Sequence, residues 1–131
     1  MELAIRYLIL CDEVQADPSN LLRLNVLGLM THIRSTRTPP FPVVRPRLCI
    51  LVLLTGCQGP ADVSLRIVQT ATGRVIFRNQ PRRMNFVSSP REAVGIKFHI
   101  ANCAFPAEGL YWVELVFSGA VVARQVLSLT T

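Results

Sequence analysis

Lysine is nearly missing from this chain of 131 residues: Lys97 is the sole lysine among fourteen basic residues. The arginines that stand in for it are scattered, so the formal net charge of +6 belongs to the whole surface rather than to one polybasic stripe. Both side chains carry the same charge, and only arginine adds a planar fork. Histidine is reduced to His32 and His99, and the four cysteines, Cys11, Cys49, Cys57 and Cys103, contain no Cys-x-x-Cys spacing. That combination argues against zinc, and nothing else in the sequence calls for a cofactor. There is no Gly-x-Ser-x-Gly elbow, and Gly56-Cys57-Gln58-Gly59-Pro60 lacks the lysine and the helix that a phosphate-cradling loop needs. Asp12 and Glu13 are adjacent, so on a strand they point to opposite faces and do not converge as a catalytic pair. The expectation is a protein that is not an enzyme.

Long apolar runs are also lacking. None approaches the ~20 residues that cross a bilayer, so no membrane role is expected. The start of the chain, 1–11, has no basic region, and Arg6 breaks its apolar run, which is poor signal-peptide design. Leu54-Thr55-Gly56-Cys57 mimics a lipoprotein cleavage box, but a buried strand ending in a glycine turn accounts for it more simply. Cysteines embedded in apolar strand runs behave as small hydrophobes, and a reducing cytoplasm suits them best. The length fits one domain over 1–131.

Strand patterning is what the sequence has in quantity. Around Ser118-Gly119-Ala120, two runs rich in aromatic and β-branched residues form the plainest hairpin. Alternation places Tyr111, Val113, Leu115 and Phe117 on its core face, with Trp112, Glu114 and Val116 opposite. A tyrosine two residues after Gly109, at the start of a late strand, resembles the tyrosine corner of immunoglobulin-like sandwiches, whose hydroxyl caps upstream backbone. Earlier strands read as 3–11, 21–33 with a bulge or bend at Gly28, 47–55, 63–70, 74–79 and 94–101. Residues 34–46 and 80–92 read as a proline-rich connection and a polar loop. No stretch keeps helical periodicity over three turns. The pattern predicts an all-β, two-layer antiparallel sandwich of about eight strands, immunoglobulin-like.

Two surfaces invite a function. Half of the residues are hydrophobic, and mean hydropathy is +0.38, which is more apolar surface than a small core hides. The run from Leu48 to Leu54 is apolar on both faces, so Cys49, Leu51 and Leu53 need cover from the chain or from a partner. With Trp112 and Val116 they make a candidate interface for another protein or a second copy in a homodimer. The other surface is basic: Arg78, Arg82, Arg83 and Arg91 would clamp an anionic polymer such as nucleic acid. Only Phe77 and Phe86 lie near these arginines as stacking partners, which favours protein assembly over nucleic acid as the first reading. His99 is placed beside Lys97 on an outward face, exposed to water.

Four stretches also carry a family likeness: Leu8-Ile9-Leu10-Cys11-Asp12-Glu13-Val14, Leu24-Asn25-Val26-Leu27-Gly28-Leu29, Phe41-Pro42, and Phe105-Pro106 followed by Gly109-Leu110-Tyr111. In order and spacing they resemble an uncharacterised bacterial family of small β-sandwich proteins, a domain of unknown function. One departure is the turn before the second strand, Pro18-Ser19-Asn20 here and Gly-Lys rich in the family. The resemblance implies the fold and a bacterial cytoplasmic origin, and it carries no catalytic residues.

Overall fold

The computed structural model describes residues 3–86 and 93–131, with the backbone alone at 21 and 22. The chain is all-β, and among these residues eleven strands form three sheets. Strand β1 (Ala4–Cys11) is followed by a hairpin of β2 (Glu13–Asp17) and β3 (Asn20–Leu27), then by the short β4 (His32–Arg34). The long β5 (Val43–Thr55) and β6 (Gly59–Gln69) lead to β7 (Val75–Arg78) and β8 (Arg82–Phe86). The chain ends in β9 (Val94–Phe105), β10 (Gly109–Phe117) and β11 (Ala120–Thr130).

The three-stranded sheet has the order β1-β5-β9, and the six-stranded sheet runs β4-β11-β10-β6-β7 with β8 also on β6. All pairings are antiparallel except that of β4 with β11. The last hairpin turns through Ser118 and Gly119, both at positive φ (49° and 85°), the geometry of a two-residue loop whose twist matches its strands.

One buried cluster draws on both large sheets: Leu48, Ile50, Val52 and Leu54 of β5 and Ile96, Phe98 and Ile100 of β9 meet Val63, Leu65 and Ile67 of β6 and Tyr111, Val113 and Leu115 of β10. These are the inward residues that period-two alternation picks out. Each large apolar side chain so buried contributes roughly 1.5–3 kcal/mol. On β9 the burial phase slips at Asn102 (φ 53°), after which Cys103 and Phe105 face inward. Asn102 lies across from Pro46, which offers no amide to the ladder.

The expectation of about eight strands is corrected to eleven among the described residues. The run 21–33 is two strands because Gly28 takes φ 69° and turns the chain out of β3, after which Met30 bridges back to Leu10. The connection 34–46 is shorter than its prolines suggested, since β5 begins at Val43 and pairs with Phe105; Phe41 packs on the core as a half-buried anchor. The polar loop 80–92 contains β8, paired along Gly59–Val63 and anchored by Phe86, which stacks on Phe117 with centroids 5.8 Å apart.

Candidate functional site

Of the candidate anion-binding arginines, the three that lie among the described residues do not converge. Arg82 and Arg83 are neighbours on β8 and so project to opposite faces. Arg83 Nη1 donates to Asp62 Oδ1 at 3.3 Å, while the Arg82 guanidinium lies 5.5 Å from the centroid of the Phe98 ring. Arg78 is exposed on β7, opposite Arg66 in register. Arg91 falls outside the described residues.

Arg82 instead meets residues of the β9 edge. A cleft of about 260 Å³ is lined by Asn79, Gln80, Arg82, Lys97, Phe98, His99 and Ile100. Lys97 and His99, two apart on β9, share the sheet face turned away from the core. Asn79 is fixed because its Oδ1 accepts the Leu65 amide at 2.8 Å and its own amide donates to the Leu65 carbonyl at 3.2 Å. A second cleft, of about 280 Å³, shares His99 and Ile100 with it and is otherwise lined by Asp12, Glu13, Pro46, Arg47, Leu48 and Ala101. Near it Asp12 Oδ1 accepts from Arg45 Nη2 at 2.6 Å. His99 thus borders both a cleft lined by basic residues and one of mixed charge. Among the described residues no group of three acidic, histidine or cysteine side chains is placed to hold a metal ion.

The candidate interface divides as well. Cys49 and Leu51, 1% and 7% exposed, belong to a second buried cluster with Cys11 and Val14, against which Ile9 and Val26 pack. The β2–β3 hairpin supplies Val14 and Val26, so the chain covers these two residues itself and they are withdrawn as an open interface. Leu53, Trp112 and Val116 are half-buried.

Sequence reasoning missed Glu114. It sits on the face of β10 opposite the core, yet it is only 3% exposed. Its carboxylate accepts from Arg66 Nε at 2.7 Å and Arg124 Nε at 2.6 Å, one from each neighbouring strand. The Arg124 guanidinium also lies 5.6 Å from the Trp112 ring centroid. A lone acid in an otherwise apolar run on a central strand was the available signal, but its partners appear only once the register is known.

Among the described residues the exposed large apolar side chains are Tyr7, Leu24, Leu27, Leu29, Val44 and Leu110. Leu24 and Leu27 lie on β3 and Leu29 just beyond it. Within the described residues β3 pairs with β2 alone, which leaves its other edge without a strand.

These features define an antiparallel all-β protein with a cationic cleft at one sheet edge and a leucine-bearing hairpin. The chain belongs to a family of unknown function (DUF6941), whose model matches residues 6–130. No curated protein matches it. Among solved structures it is similar to the alkylpurine DNA glycosylase AlkC of Pseudomonas fluorescens bound to DNA containing an abasic site analog, at 14% identity and a TM-score of 0.51. That match covers 99% of this chain and 31% of the glycosylase, so the chain spans about a third of its length. At such identity the likeness concerns the fold alone.

Proposed function

We propose that this protein is a non-enzymatic assembly module of immunoglobulin-like design, acting in the bacterial cytoplasm and pairing with a second copy of itself through strand β3. The sandwich reading is supported by connectivity: β1, β5 and β9 correspond to one sheet of that fold, and β11, β10, β6 and β7 to the other. It is also supported by Tyr111, whose hydroxyl donates to the Ala107 carbonyl at 2.6 Å and accepts the Ala107 amide at 3.2 Å, as a tyrosine corner requires. Four buried cysteines with free thiols are consistent with a reducing compartment.

The observation that carries assembly is the coincidence of exposed leucines with an unpaired strand edge on one hairpin. Natural edges are normally blunted by lysine, proline or inward charge, and over 23–27 β3 offers only Arg23, itself 3.9 Å from Asp17 on the same hairpin. Antiparallel pairing of β3 with its copy about a two-fold axis consumes both edges and closes the assembly at two chains. Light scattering after size exclusion tests this. A mass near twice 14.6 kDa is expected, falling to the monomer in the double variant Leu24→Glu, Leu27→Glu; a wild-type protein monomeric at every concentration overturns the proposal.

A further inference from the structure

We infer that the cleft between β1 and β11 takes an extended segment of an acidic partner protein, which adds as a strand to the edge of β11. The inference concerns a different edge from β3 and stands whether or not β3 pairs.

Both walls of this cleft come from sheet edges. β1 is the outermost strand of its sheet, and on β11 the short β4 covers only Ser128–Thr130. Between β4 and a shift in register beside Val122, the edge of β11 carries no strand among the described residues. The Ser128 amide donates outward to the Thr31 carbonyl at 3.0 Å. Backbone groups alternate in direction along a strand, so those of Val126 and Arg124 also point away from β10. The Val126 carbonyl there is capped by the Gln125 side chain, whose Nε2 donates at 3.3 Å. Proline and lysine, which blunt natural edges, are absent from 120–127.

Beside this edge lies a cleft of about 700 Å³. Leu3, Ile5, Leu8, Val122 and Ala123 line it, packed on the core yet only half-buried. Gln125 lies opposite the fully buried Val113, on the core-facing side of β11, and a polar side chain is tolerated there because the cleft leaves it half open to water. A strand laid along β11 directs alternate side chains into this apolar cleft and the others over the outer face, where Arg124 stands opposite Glu114.

Charge chooses the occupant. Arg124 is half exposed, and it shares the Glu114 carboxylate with Arg66, so two guanidiniums stand against one acid. Arg6, the residue passed over where β1 shifts register, brings a second exposed cation to the rim, and no carboxylate is among the residues that line the cleft. An acid on the added strand across from Arg124 gains a cross-strand pair. A second copy, itself carrying +6, lacks that complementarity, whereas a segment alternating apolar with acidic residues has it on the correct face.

The test titrates the 15N-labelled full chain with an acetylated peptide of about six alternating valines and glutamates, long enough to run along 123–127. Saturable shifts and slowed hydrogen exchange are expected at the Arg124 and Val126 amides. The same peptide with lysine for glutamate should bind about tenfold more weakly. Val126→Pro removes an amide that points to the open edge and leaves the β10 ladder untouched, so it should weaken the acidic peptide about tenfold. Arg124→Gln, which leaves Glu114 to Arg66, should weaken it about threefold and narrow the preference over the lysine peptide. The inference is overturned if millimolar acidic peptide moves neither amide, if it moves only amides of 23–27 on β3, or if the two peptides bind alike. Shifts at the two amides that grow with protein concentration alone make a second copy the occupant and overturn it too. An unchanged preference in Arg124→Gln does the same, even if Val126→Pro fails to fold.

Discussion

Gly28 and Asp12 are packed so closely that a Cβ on Gly28 would lie 2.2 Å from Asp12 Oδ2. Gly28 also holds φ 69°, a region that costs a non-glycine residue roughly 1–3 kcal/mol. Asp12 has little room to yield, because Arg45 holds its other oxygen at 2.6 Å and its amide donates to the Leu27 carbonyl at 3.0 Å. The pair thus joins the leucine-bearing hairpin to β1. Gly28→Ala should destabilise the protein by about 2–4 kcal/mol, the backbone cost plus that of displacing the carboxylate. In urea unfolding, the double variant Gly28→Ala, Asp12→Ala should lose less than the sum of the single losses, because removing the carboxylate relieves part of the clash.

Tyr111 is fully buried with its ring edge-on to Phe105, centroids 5.2 Å apart at 81°. Replacing it by phenylalanine keeps the ring and removes both hydrogen bonds to Ala107. The expected loss is about 1–2 kcal/mol, read as a lower denaturant midpoint at unchanged slope. An unchanged midpoint would mean that the corner contributes nothing to holding the β9–β10 connection.

Burial with a period of two is a local signal, and it made Val63, Leu65, Ile67, Tyr111, Val113 and Leu115 legible as core before any pairing was known. The termini of the last hairpin were legible for the same reason, since Ser118-Gly119 announces its own turn. β8 was hidden because Arg82 and Arg83 dominate its composition, while the pairing with β6 that makes it a strand is non-local. Leu48 to Leu54 could be read as apolar on both faces, but not that a hairpin well upstream in the chain would fold over Cys49 and Leu51. The cationic cleft was half visible: Lys97 and His99 share a face by spacing, whereas the approach of Arg82 depends on how two sheets sit together at Phe98. The exposed leucines of β3 looked like ordinary strand residues until their outer neighbour proved missing.

Glu114 makes stability depend on acid. Burial pushes its carboxyl upward, and the hydrogen bonds and charges of Arg66 and Arg124 more than offset this, leaving it below its ordinary 4.5. A group depressed in the folded state contributes stability that is present above its unfolded value and is lost as pH falls through the folded one. The contribution should be intact at neutral pH and fade as pH drops below about 4.5. Glu114→Gln should cost about 2 kcal/mol at pH 7, moderated because both arginines keep partial contact with water, and should flatten the acid limb of the stability curve. Parallel acid limbs in the two proteins would show that other carboxylates govern it.

Buried thiols report on opening of the fold. Burial raises all four cysteines, Cys103 to about 11, and Cys11 also to about 11 with further upward pressure from Cys49 and Asp12. The Cys11 thiol additionally donates to the Cys49 carbonyl at 3.6 Å. A thiol reagent at pH 8 therefore meets little thiolate and no open path, so native protein should react only through opening, and four equivalents should appear at once in denaturant. When reclosing outpaces modification, the rate follows the equilibrium between closed and open forms. Tyr111→Phe should then accelerate labelling by the factor its stability loss predicts, about tenfold for each 1.4 kcal/mol. If labelling is fast in the wild type and indifferent to Tyr111→Phe, at least one cysteine is reached without unfolding, and the covered face of β5 is more open than its side chains indicate.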